Sequence, residues 1–171
     1  HMRHTHLDEH KFVSGQPETG ADRADDLERI AMNFGPENIA ACIVEPIAGS
    51  TGTLVPPKGY LQKLRETCDK HGILLIFDEV ITGWGRTGSS FASIEYGVTP
   101  DIMTMAKATT NGVVPMGVVA CKDEIYDSVM DASPMGSVEL FHGYTYSGIP
   151  VAVAAALAVQ DIFEKEDIFN R

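Results

Sequence analysis

The apolar positions come in blocks whose spacing alternates between that of helices and that of strands. Ala24, Leu27, Ile30, Ala31 and Phe34 recur at helical spacing and are closed by Gly35-Pro36, which predicts a first helix. Residues 40–44 form a short apolar run that stops at Glu45-Pro46 and read as a buried strand. Gly49, Gly52, Pro56 and Pro57 then make a loop. Pro57 suits a first helical turn, Tyr60, Leu61, Leu64 and Cys68 form a stripe, and Gly72 stands where a left-handed cap belongs, so a second helix is expected between them. Residues 73–77 are apolar without alternation, as expected of a parallel strand covered on both faces, and run into Asp78-Glu79. Residues 102–106 and 118–121 predict two more strands. An amphipathic helix with Ile125 and Val129 should follow Lys122, and an alanine-rich helix should start near Val151. Strands alternating with helices predict an α/β sheet with right-handed crossovers and a ligand site beyond the carboxyl ends of its strands. Asp78 and Lys107 both fall there.

Composition narrows the function classes. The chain has 171 residues, 44% hydrophobic and 22% charged, which suits one globular segment and argues against disorder, collagen-like repeats and coiled coil. Its net charge of -11 would repel phosphates, so no nucleic-acid partner is expected. The most apolar stretch, residues 149–163, falls short of the ~20 residues a bilayer span needs. It reads as a buried helix, and no membrane partner is expected. Cys42, Cys68 and Cys121 are widely spaced and odd in number, which argues against a disulfide framework or a zinc site and fits a reducing cytoplasm.

Several residues could carry chemistry. Residues 83–88 match G-x-G-x-x-G after a predicted strand, but little room remains before Pro100 for the long helix a dinucleotide site needs, so a plain glycine loop is the better reading. His4, His6 and His10 lack partners for a recognisable ligand set and read as a solvated loop; no metal is expected. The hydroxyls between Phe141 and Ser147 precede the alanine-rich helix, where they could bind phosphate or simply cap it. Asp78 ends an apolar strand, loses hydration there and needs a positive or hydrogen-bonding partner. Lys107 ends another, where desolvation would favour a neutral amine able to form an imine with a carbonyl. Singly, each has a bland reading as a solvated strand end. Together they are the arrangement pyridoxal phosphate (PLP) needs, because the acid can hold the pyridine nitrogen protonated while the ring accepts electrons.

Val44-Glu45-Pro46, Phe77-Asp78-Glu79-Val80-Ile81-Thr82-Gly83, Gly85-Arg86-Thr87-Gly88, Pro100-Asp101, Ala106-Lys107 and Gly143-Tyr144-Thr145-Tyr146 follow one another in an order that resembles the class III aminotransferases. His4-Thr5-His6, Gly15-Gln16-Pro17-Glu18, Thr110-Asn111-Gly112 and Pro115-Met116-Gly117 look most like the ω-amino acid:pyruvate branch of that family. The resemblance implies a three-layer αβα sheet, with residues 1–171 forming part of the large domain of a fold type I PLP enzyme that works as a homodimer or higher homo-oligomer. It implies that Lys107 binds the cofactor covalently and shuttles the proton, and that Asp78 pairs with the pyridine nitrogen. The separation of those two, 29 residues (107 − 78), agrees with the family. It further implies that Val80 packs on the ring, Ile81 lies beside it, Glu45 acts from behind, and Thr145 with the Tyr144 backbone reaches the partner subunit's cofactor phosphate. The reaction implied is amino transfer from a small-molecule ω-amino acid or amine donor to a keto acid acceptor, pyruvate. An aminomutase of the same class, or a non-catalytic truncated module, are the alternatives.

Two departures from the family pattern bear on this. Ser50 stands where glutamate-using relatives carry an acidic residue, which favours pyruvate. Trp84 replaces the phenylalanine usual in the glycine loop, and its bulk is expected to adjust the entrance to the site. Family members are more than twice as long, and their upstream phosphate loop and downstream substrate arginine have no counterpart here. The chain is therefore expected to be an internal piece, catalytically incompetent alone.

Overall fold

A computed structural model describes residues 1–135 and 140–170. Nine helices and strands are ordered α1 (Asp25–Phe34), β1 (Ala41–Val44), α2 (Tyr60–His71), β2 (Leu74–Asp78), α3 (Ala92–Glu95), β3 (Ile102–Met105), β4 (Val118–Cys121), α4 (Asp123–Asp131) and α5 (Pro150–Lys165) among the described residues. The strands form one mixed sheet in the order β1-β2-β3-β4. The first three are parallel, and β4 returns antiparallel to β3. Each predicted element is present, with ends shifted by a few residues. Gly72 takes the left-handed conformation at the end of α2 that the sequence required, with φ +66°.

Register sorts the strand residues onto two faces. Cys42 pairs with Leu75 and Val44 with Phe77, and this face packs on Leu27 and Ala31 of α1 and on Leu61, Leu64 and Cys68 of α2. Burying side chains such as Leu64 and Phe77 contributes roughly 1.5–3 kcal/mol each. The opposite face carries Leu74, Ile76 and Asp78, all half-buried. There the expectation of full cover on both faces of β2 is corrected. α4 reaches only the start of the strand, where Ile125, Val129 and Leu74 border a cavity of about 650 Å³.

Asp101, just before β3, ties the layers together. Its carboxylate accepts from Arg65 Nη1 of α2 at 2.8 Å, from Lys122 Nζ at 2.7 Å and from the Leu75 amide at 2.7 Å. Burial pushes this carboxyl up, but the hydrogen bonds from Lys122, Leu75 and Arg65 outweigh it and hold it below the usual carboxylate range.

Two readings of the sequence are corrected. α5 is not a buried helix: Val151, Leu157 and Ile162 are exposed, and only the stripe of Ala152, Ala155, Ala156, Val159, Gln160 and Phe163 is at least partly covered. A helix apolar all round shows no sequence signal for which stripe its neighbours cover. Nor is His10 part of a solvated loop. It is buried, its Nδ1 accepts the Leu7 amide at 3.3 Å and its Nε2 lies 3.3 Å from Thr19 Oγ1.

Candidate active site

The carboxyl ends of β2 and β3 meet as neighbours. Asp78, the last residue of β2, is in register with Thr104, and the Glu79 amide donates to the Thr104 carbonyl at 2.9 Å. Lys107 follows Thr104 by three residues and opens a short 3-10 turn, Lys107–Thr110. Its φ of +45° lies in the left-handed region, which costs a side-chain-bearing residue about 1–2 kcal/mol. The Asp78 carboxylate is half-buried and accepts the Val80 amide on Oδ1 at 3.1 Å. Lys107 is exposed and forms no ion pair among the described residues, with Asp78 or any other acid. An acid and an amine thus stand at adjacent strand ends without neutralising one another.

The other expected residues are placed unevenly. Glu45 directly follows β1, and its Oε2 accepts the Gly49 amide at 2.9 Å, bending the loop back over the strand end. Ile81 and Ser50 border a cavity of about 620 Å³ together with Gly49, Thr53 and Arg86. Gly49 is small for a reason: a Cβ there would stand 2.7 Å from Ile81 Cδ1. Val80 is half-buried between Asp78 and Ile81. Glu45 borders a different cavity, of about 800 Å³, with Cys42 and Tyr60, whose phenol is pushed up to about 12 by burial and then by Cys42. Tyr144 and Thr145 lie apart from both, exposed in the segment leading to α5. The hydroxyls there do not cap α5, which begins with Ile149 and Pro150; Ser147 Oγ instead accepts the Tyr144 amide at 3.3 Å.

Sequence reasoning missed the hydrogen bonds of two residues. Glu79 is fully buried, and its carboxylate accepts from Thr82 Oγ1 and from the Ala92 and Ser93 amides, each at 2.8 Å. It holds the whole glycine loop against the start of α3. The period-two alternation beyond the strand end, with Asp78 on the open face and Glu79 on the other, was the available signal. Trp84 is the second. Its ring lies 5.0 Å from Phe91 and 5.9 Å from Phe163 between ring centres, with Nε1 donating to Thr109 Oγ1 at 3.0 Å. Only the four-residue α3 follows the glycines, so the long helix of a dinucleotide site is missing from this loop.

The model of the aminotransferase class-III family matches residues 4–171. The chain belongs to the class III aminotransferases. It is 57% identical over its whole length to an omega-aminotransferase of Caulobacter vibrioides, of which it covers 39%. It is 51% identical, over 98% of its length, to the omega-amino acid–pyruvate aminotransferase of Pseudomonas putida, of which it covers 38%. Among solved structures it resembles an amine transaminase from an uncultivated Pseudomonas species in its PLP-bound form. That match has a TM-score of 0.81 and 45% identity, covering 88% of this chain and 34% of the other. The mixed sheet flanked by helices is that of fold type I transaminases. This class III aminotransferase chain spans about two fifths of the length of the curated relatives it matches. Among its described residues no group of three or more His, Cys, Asp and Glu could hold a metal ion, and no helix is long and apolar enough to cross a membrane.

Proposed function

We propose that the full-length enzyme containing these residues transfers an amino group from an ω-amino acid or amine to pyruvate with PLP as cofactor, and that residues 1–171 are part of its large, cofactor-binding domain. The observation that carries this is the pair of unneutralised groups, Asp78 and Lys107, at neighbouring strand ends. Their chemistry fits PLP: a carboxylate for a ring nitrogen that must stay protonated, and a primary amine for an aldehyde. When bound, the cofactor supplies an electron sink for the charge left as a proton is removed.

The residues of the chain divide the work. Asp78 holds a proton at the pyridine nitrogen, and the Val80 amide on Oδ1 fixes the orientation of its carboxylate. With the cofactor bound, Lys107 Nζ would hold it through the aldehyde carbon until the donor amine takes that place, and the Nζ so released would accept the proton from the amine-bearing carbon of the donor and donate it back. Val80 and Ile81 flank the ring and exclude water. Glu45 supports them through the Gly49 loop, whose amide it holds. Ser50 offers no negative charge to a substrate-binding arginine, which favours pyruvate over glutamate and its keto acid. Thr145 and the Tyr144 backbone, both exposed, serve the cofactor phosphate of a partner subunit in a homodimer or higher homo-oligomer. The reducing cytoplasm suits a chain whose three cysteines are free.

The test is an assay of the purified full-length enzyme with an ω-amino acid, with and without pyruvate. Alanine formed only when pyruvate is present supports the reading. Rearrangement of the donor without pyruvate would make the protein an aminomutase instead.

A further inference from the structure

We propose that Trp84 is a positioning residue for Lys107, acting through the hydroxyl of Thr109; this rests on Lys107 being the lysine that binds the cofactor. Lys107 is held at φ +45°, and such a conformation persists only where its surroundings over-determine it. Two hydrogen bonds close the turn around it, from the Thr109 amide to the Ala106 carbonyl and from the Gly112 amide to the Lys107 carbonyl, each 3.0 Å. A third runs from Thr109 Oγ1 to the same Ala106 carbonyl, also 3.0 Å. That bond has one possible direction, since a carbonyl only accepts, and Trp84 anchors the hydroxyl that makes it. An indole Nε1–H can only donate, so when it reaches Thr109 Oγ1 at 3.0 Å the hydroxyl must accept, and its single proton is left for Ala106. Ala106 is the residue immediately before Lys107.

The tryptophan is itself immobilised. Its backbone lies at φ +63°, its amide donates to the Ser90 carbonyl at 2.6 Å, and its ring is held between Phe91 and Phe163. The clamp therefore joins the glycine loop, α5 and the turn that carries the amine. A phenylalanine at this position would keep the ring contacts but has no N–H, and would leave Thr109 Oγ1, on a residue only 3% exposed, without that donor.

The experiment uses the full-length enzyme. Trp84→Phe should lower kcat about 5-fold with KM changed less than about 2-fold, the size expected of one net hydrogen bond acting on the positioning of a group. Thr109→Val should lower kcat similarly, the double variant should lose no more than either alone, and Thr109→Ser, which keeps the hydroxyl, should retain most of the rate. In the cofactor-free enzyme, amide hydrogen exchange over residues 107–112 should be about 5-fold faster in Trp84→Phe, with the melting temperature nearly unchanged. Unchanged exchange, or losses that multiply in the double variant, overturns the proposal. Lys107→Ala is the separate control. If that variant keeps its turnover while Trp84→Phe still quickens exchange, the assignment of Lys107 has failed rather than the clamp, and the clamp no longer positions a catalytic group.

Discussion

Asp78 lies in register with Thr104 on the adjacent parallel strand, so its carboxylate and the turn carrying Lys107 leave the sheet at the same end. Parallel strands alone produce this. Had β3 run antiparallel to β2, as β4 does to β3, residues beyond its end would emerge at the opposite edge. Replacing either group should therefore affect chemistry far more than folding. In the full-length enzyme, Lys107→Ala should abolish amino transfer, and Asp78→Asn should lower kcat on the order of 100-fold with cofactor still bound. Steady-state kinetics alongside the cofactor absorbance checks both, and near-normal rates in Asp78→Asn would count against its pairing with the ring nitrogen.

Glu79 should behave in the opposite way. Its carboxylate accepts two amides and a hydroxyl with no exposure to solvent, so Glu79→Ala strands buried donors. We expect a loss of about 3 kcal/mol in stability, read from urea unfolding. A change below about 0.5 kcal/mol, the range of ordinary surface substitutions, would show that water replaces these bonds.

The Asp101 cluster sets a pH dependence. Its carboxyl titrates below the usual range in the folded chain. Between that value and the unfolded value of ~3.9, the unfolded chain binds the extra proton, so stability rises with pH. The contribution is complete above about pH 4 and is lost as pH falls through the folded value. Melting temperatures of wild type and Asp101→Asn should therefore differ clearly at pH 6 and converge in strong acid. A constant difference down to pH 2 would contradict this.

Two glycines should respond differently to alanine. At Gly83 a Cβ would lie 2.9 Å from the Glu79 carbonyl oxygen, a backbone atom that cannot step aside. At Gly49 the obstacle is the far end of the Ile81 side chain. Gly83→Ala should cost on the order of 2 kcal/mol in thermal stability. Gly49→Ala should cost less than about 1 kcal/mol, with its main effect on cofactor affinity through the displaced Ile81. Equal melting temperatures for the two variants would remove the distinction.

The sequence by itself determined the order and type of the elements, because hydrophobic spacing, Gly72 and the prolines are local signals that act within a few residues. It also determined the family and the acid and amine at the strand ends, because both follow apolar runs that fix where the chain leaves the sheet. What it left open depended on contacts between distant segments. Residues 149–163 read as a buried helix, but the covered stripe of α5 is chosen by the turn and aromatic rings it meets. Asp78 and Glu79 are adjacent acids in the sequence, and only the pleat of β2 and the approach of α3 send one to the open face and bury the other. Trp84 looked like added bulk at an entrance. The tertiary structure alone brought its N–H to Thr109, since a hydrogen bond across 25 residues depends on two loops meeting in space and leaves no periodic trace in the chain.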